Sequence, residues 1–184
     1  PRTVSQAYFQ PKRIYSLRSR KSAAYKGVMA LLIKGGARDF ISGEKIDGSK
    51  IKADNVDMHL IFPPSFCVKK NIDKRFWNCI ANRTPMKAST NRAIKNYSPS
   101  EYLSNIETKN HVPYDNVRMN FESHEIDVCA LENDDFKLFL KNRSNAILEL
   151  IERAMNKAIG SMIDLYDTEV EDLQDVYEYE DEDN

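Results

Sequence analysis

A chain of 184 residues suits one domain of ordinary size, and 41% apolar content is enough for a core. It has no run of about 18 apolar residues, which excludes a membrane-spanning helix. The net charge of −1 hides a division: residues 1–110 hold 21 Lys and Arg against 8 Asp and Glu, a net of +13, and residues 111–184 hold 6 against 20, a net of −14. That split points to nucleic acid at the basic part, or to two parts that neutralise each other across an internal interface.

The elements follow in chain order. Residues 1–20 read as irregular, and the start PRTVSQAYFQPKR has neither an initiator Met nor an apolar leader, which suggests a piece of a longer protein. SAAYKGVMALLIK predicts a helix over 22–34, with Ser22 as its N-cap, Gly35-Gly36 as its stop, and Val28, Leu31 and Leu32 on one side. A short helix or turn over 37–41 and an exposed loop over 42–55 come next. Val56–Phe62 alternates as a strand does and ends at Pro63-Pro64; Phe66–Lys70 pairs back as a second strand or stays a loop. Helical stretches are expected near 73–80, 89–94 and 98–106, the last with Pro99 one residue inside a Ser-capped start. Two further helices are expected over 134–140 and 145–158, from Phe136, Phe139, Leu140, Ile147, Leu148, Ile151 and Met155 at helical spacing. Residues 164–184 carry eleven acids and no base, and read as a partly disordered acidic tail behind a domain over 1–163.

The three cysteines, Cys67, Cys79 and Cys129, have no CxxC spacing. This argues against a zinc knuckle or a disulfide framework and for a reducing compartment; with no leader or span, the expected location is cytoplasmic.

Chemistry concentrates in residues 57–103. His59 precedes an Ile61-Phe62-Pro63 turn, Asn82 closes the string IAN, and Asn91 follows nine residues later in TNR. Hydrolysis of a phosphodiester needs an activated water, a group to take its proton, charge relief at the leaving oxygen, and a basic surround for the backbone. A strand with a tight turn can fix two neighbouring side chains, and a helix Asn can add a neutral oxygen donor.

DMHLIFPPSFC, IDKRFWNCIANRTPMKASTNR, SPSEYL and the earlier YKGVMALLIKGGARDFISGEKI together resemble the ββα-metal (His-Me finger, HNH) nucleases. The resemblance is narrowest to the C-terminal HNH region of GmrSD-type modification-dependent restriction proteins, and spans roughly residues 15–106. It implies an α+β fold in which a small ββα-metal (His-Me finger) core, near 54–96, is embedded in a mostly helical domain. It implies a metal-dependent DNA endonuclease of restriction and anti-phage defence. It also implies an N-terminal nucleotide-dependent domain in the same parent protein, and a divalent ion, Mg²⁺ first, with Mn²⁺, Ni²⁺ or Zn²⁺ also acceptable to an imidazole. Carried over by position, His59 and Asn91 are the metal ligands and Asn82 orients the hairpin. The family's hairpin reads D-x-H-H-I-F-P. Its second His, the general base, is Leu60 here, so the chain is expected to be inactive as a hydrolase. Asp57, two residues before His59, lies on the same strand face and becomes a partner behind the ligand.

Each feature also has a bland reading. His59 alone would be a satisfied core histidine, and Asn82 and Asn91 alone would be caps or loop residues. His111 and His124 fall in polar sequence and are expected in solvent; Phe76 and Trp77 are expected in the core. Lys69, Lys70, Lys74, Arg75, Arg83, Lys87 and Arg92 flank the motif and suit DNA phosphates, or a solvated face. The alternative function is a non-catalytic DNA-binding or regulatory interaction module.

Overall fold

A computed structural model describes residues 8–47 and 56–160. The acidic tail and most of the expected 42–55 loop lie outside the described residues. The fold is mixed, a two-stranded antiparallel sheet among helices. No helix among the described residues is long and apolar enough to cross a membrane.

Helix α1 (Arg13–Ser16) is a single turn inside the stretch read as irregular. Helix α2 (Ala23–Lys34) follows Ser22, as its sequence predicts, and buries Tyr25, Val28, Met29 and Leu32. The chain then turns tightly, and Arg38 bridges to Lys45. Strand β1 (Val56–Leu60) pairs with β2 (Arg83–Lys87), with His59 opposite Thr84 and Leu60 opposite Arg83. Pro85 is tolerated in β2 because a sheet of two strands consists only of edges.

The return strand is therefore not Phe66–Lys70. That segment is helix α3 (Pro64–Lys69), opened by Pro64 in the first turn, where its missing N–H costs nothing. Helix α4 (Lys74–Trp77) and a 3₁₀ turn over Ile80–Asn82 bring the chain back. The expected single helix over 73–80 is thus shorter and broken. Helix α5 (Ala88–Ile94) follows β2 at once, completing a strand–strand–helix unit.

Helix α6 (Pro99–Thr108) opens on a full capping box: Ser98 Oγ accepts from Glu101 N, and the Glu101 carboxylate accepts from Ser98 N. Helices α7 (Tyr114–Glu122) and α8 (Val128–Glu132) fall in a stretch where no helix is expected from the sequence. The two helices expected over 134–140 and 145–158 are one, α9 (Phe136–Met155), because the polar residues Lys141–Ser144 hold no breaker. The apolar face of α9 meets the turn after β1: the Phe62 ring lies 5.2 Å from Phe136 and 4.9 Å from Phe139. Phe76 and Trp77 pack against the same core, as their sequence suggests.

Candidate functional site

The site is a cleft of about 240 Å³ between β1, β2 and the end of α5. His59 and Leu60 from β1 and Asn91 from α5 all line it. Two elements thus bring His59 and Asn91, 32 positions apart in sequence, to one cleft. Leu60 is among the residues of the wall beside His59 and is half-buried.

Asn82 is not in the cleft. It is fully buried and fastens the turn that follows β1. Its Oδ1 accepts from Phe62 N at 2.8 Å, and its Nδ2 donates to Phe62 O at 3.0 Å and Trp77 O at 2.9 Å. The amide so mimics a strand neighbour for Phe62, one residue past the point where Ile61 N donates to Asn82 O. Asn82→Ala would remove the hydrogen bonds to Phe62 N, Phe62 O and Trp77 O, with only the weak Cys67 Sγ contact at 3.9 Å left on Phe62 O. We expect a loss of about 2–4 kcal/mol in urea unfolding, at about 1–3 kcal/mol for each orphaned group with partial relaxation.

The corner between β2 and α5 is held from a distance. Asp39 is 1% exposed, and its Oδ2 accepts from Lys87 N at 3.1 Å while its Oδ1 accepts from Thr90 Oγ1 at 2.7 Å. The same carboxylate accepts from Ser42 N and Ser42 Oγ in its own turn. Asn91 follows directly on this anchored residue. No local pattern marks Asp39, because its partners lie 48 and 51 residues away.

Behind β2 sits a second buried layer. Arg143 of α9 is fully buried and donates through Nη1 to Ala81 O and Arg83 O, on either side of Asn82, and through Nε to His124 O at 3.2 Å. Burial pushes its guanidinium down to about 9, which leaves it a cation at neutral pH. His124 corrects the sequence reading: it is fully buried, not solvated. Its Nε2 lies 2.6 Å from Arg38 O and must donate there, so Nδ1 accepts from Thr84 Oγ1 at 2.6 Å. His111 is exposed.

This neutral arrangement has a pH consequence. Burial, with the Arg143 charge adding to it, lowers the His124 pKa to about 4; Arg38 O and the Asp39 carboxylate oppose the shift only in part. The unfolded chain therefore binds the proton near pH 6.5 and the folded one does not until about 4. The stabilisation is complete above pH 6.5 and is lost as pH falls toward 4. At 1.36 kcal/mol per pK unit it is on the order of 3 kcal/mol. Urea unfolding between pH 7 and 4 should show this slope, and His124→Gln should flatten it by about one proton.

The cationic residues named from sequence divide. Arg83 lines the cleft, with Nη2 donating to Asn78 Oδ1 at 2.7 Å. Arg75 is paired to Asp73 at 2.6 Å, and that contact holds the Asp73 carboxyl below its usual range. Lys87 is paired to Glu44. Lys69, Lys70, Lys74 and Arg92 are exposed and lie outside the cleft wall, with Lys70 Nζ 5.9 Å from the Phe66 ring centre. Two cleft cations escape the sequence reading, Arg20 and Lys95. Arg20 Nη2 donates to Met58 O at 2.7 Å, next to His59. Asp57 lies in β1, but its side chain is outside the described residues.

No family model matches the chain, and no solved structure matches it. It is similar to an uncharacterized protein of Methanocaldococcus jannaschii, 35% identical over 92 residues that cover 48% of this chain and 15% of that protein. The chain thus spans a small fraction of that relative's length.

Among the described residues, no three of His, Cys, Asp and Glu gather as a metal set. The cleft offers one imidazole and one amide oxygen from protein. That donor pair fits an ion completed by water and substrate phosphate, as Mg²⁺ and Mn²⁺ sites often are, and does not fit a closed structural site.

Proposed function

We propose that this chain is a DNA-directed domain of the ββα-metal type. On this reading it is the domain of a metal-dependent endonuclease of restriction-type defence, with Leu60 standing where hydrolysis needs an imidazole; the antiparallel strand pair followed at once by a helix supports it. One observation carries the reading: His59 from the first strand and Asn91 from the following helix line a single cleft, while Asn82 fastens the turn between them. A divalent ion bound there would relieve charge at the scissile phosphate. His59 and Asn91 would hold it with neutral donors, and Arg83 would hold the phosphate backbone. No group in the cleft takes the proton from water at position 60, so the chain as written binds DNA without turning it over. In the parent protein a nucleotide-dependent domain would precede this one.

The second reading is a non-catalytic DNA-binding or regulatory module, and Leu60 in the cleft wall favours it. Restoring the imidazole separates the two. Leu60→His nicks supercoiled plasmid on the first reading and stays inert on the second.

The charge division adds a further expectation. Residues 164–184 carry eleven acids tethered to a basic region, so they compete with DNA at high effective concentration. Truncation after residue 163 should tighten binding of a labelled duplex and steepen its salt dependence, read by fluorescence anisotropy over about 50–200 mM salt. Unchanged affinity and slope would assign the tail to solubility alone.

A further inference from the structure

Between α5 and α6 the chain makes a short, closely specified turn that presents an aromatic ring to solvent. Lys95 closes α5, with its N–H donating to Asn91 O at 2.9 Å. Asn96 then takes the left-handed conformation, φ 70°, which Asn tolerates better than most residues. Tyr97 N donates back to Ile94 O at 3.3 Å, and Ser98 opens the capping box of α6. Tyr97 is therefore fixed on both flanks, yet it is 41% exposed. It has no place in the core; Ile94, three residues earlier, is the residue of this corner that packs inward.

The surroundings of the ring say what would cover it. Residues 88–100 contain Arg92 and Lys95 and no Asp or Glu, and both bases are exposed. Exposed Lys109, at the end of α6, sets its Nζ 5.6 Å from the centre of the Tyr97 ring, so the ring already meets one cation. Lys95 and Asn96 line the cleft, which puts Tyr97 one residue beyond its wall. An apolar protein surface laid here would cover three cations without pairing them. A flat π-system carried on an anionic backbone satisfies the ring and the cations together. We propose that Tyr97 is a stacking platform for an unpaired DNA base at the rim of the cleft, with Arg92, Lys95 and Lys109 beside the adjoining phosphates. This rests on the DNA-directed reading above and names the form of DNA: a strand with an unstacked base, since an intact duplex offers only base edges in its grooves.

The test measures binding of the full chain to fluorescein-labelled oligothymidylate, and to the same strand paired with oligodeoxyadenylate, by anisotropy at low salt. Tyr97→Ala should weaken single-strand binding by about fivefold or more, as expected for losing one stacked base, and leave duplex binding unchanged. Tyr97→Phe keeps the ring and should bind as the native chain does. A 2-aminopurine placed in the single strand should lose fluorescence on binding the native and Tyr97→Phe chains more than on binding Tyr97→Ala, a signal that a merely structural tyrosine would not move. Unchanged single-strand affinity in Tyr97→Ala, or an equal loss for single strand and duplex, would overturn the platform and leave the DNA-directed reading standing. No binding of either DNA by the native chain would overturn both.

Discussion

Leu60→His should turn this chain into a metal-dependent nicking enzyme, with a gain of about 10²–10⁴-fold in cleavage rate of supercoiled plasmid. The magnitude is that of a positioned general base added to the site on the proposed reading. Leu60 is among the residues that line the cleft next to His59, so an imidazole introduced there stands at the cleft wall. The register is set by Asn82, which binds both polar groups of Phe62 two residues on. Adding His59→Ala to Leu60→His should return the rate to background, because the imidazole donor to the ion is gone. A native chain that already nicks plasmid at the rate of Leu60→His would show that position 60 is not the base.

Arg143→Met should be the most destabilising single change near the site, by about 3–5 kcal/mol in urea unfolding. The guanidinium serves the carbonyls of Ala81, Arg83 and His124, and a thioether serves none of them. Each buried acceptor left without a donor costs about 1–3 kcal/mol. Two of these carbonyls flank Asn82, so the loss loosens the hairpin anchor and the start of β2 together. Arg143→Lys keeps a donor but not the fork, and should recover only part of the loss. An Arg143→Met chain as stable as the native one would remove Arg143 from the account of how β2 is held.

What could be read from sequence was local. Helix α2 has an apolar side, a glycine stop and Ser22 at its N-cap position, though the Ser22 side chain makes no cap hydrogen bond, and α6 has its Ser98–Glu101 box; these are visible in short windows. Strand β1 alternates and ends on two prolines, and it forms near where it was expected. The return strand was hidden because RTPMK carries a proline at its centre, and because 22 residues of helix and turn separate it from β1. Phe66–Lys70 offered a false partner: its aromatic and β-branched residues suit a strand, but Pro64 starts a helix there. The order His59, Asn82, Asn91 was legible as a motif, and the structure brings His59 and Asn91 to one cleft. Asp39, His124 and Arg143 were not legible. Their partners lie 48 and 51, 40 and 86, and 60 and 62 positions away, so only the folded chain shows that their polar atoms are spoken for. Arg20 was one base among many until its bond to Met58 placed it beside His59.

The most direct test of the central claim is electron spin-echo spectroscopy of Mn²⁺ bound to the chain with a short DNA duplex present. The account predicts modulation from one imidazole nitrogen that is present in the native chain, absent in His59→Ala, and unchanged in His111→Gln. Bound Mn²⁺ with no imidazole nitrogen, or with a nitrogen signal that survives His59→Ala, would contradict it.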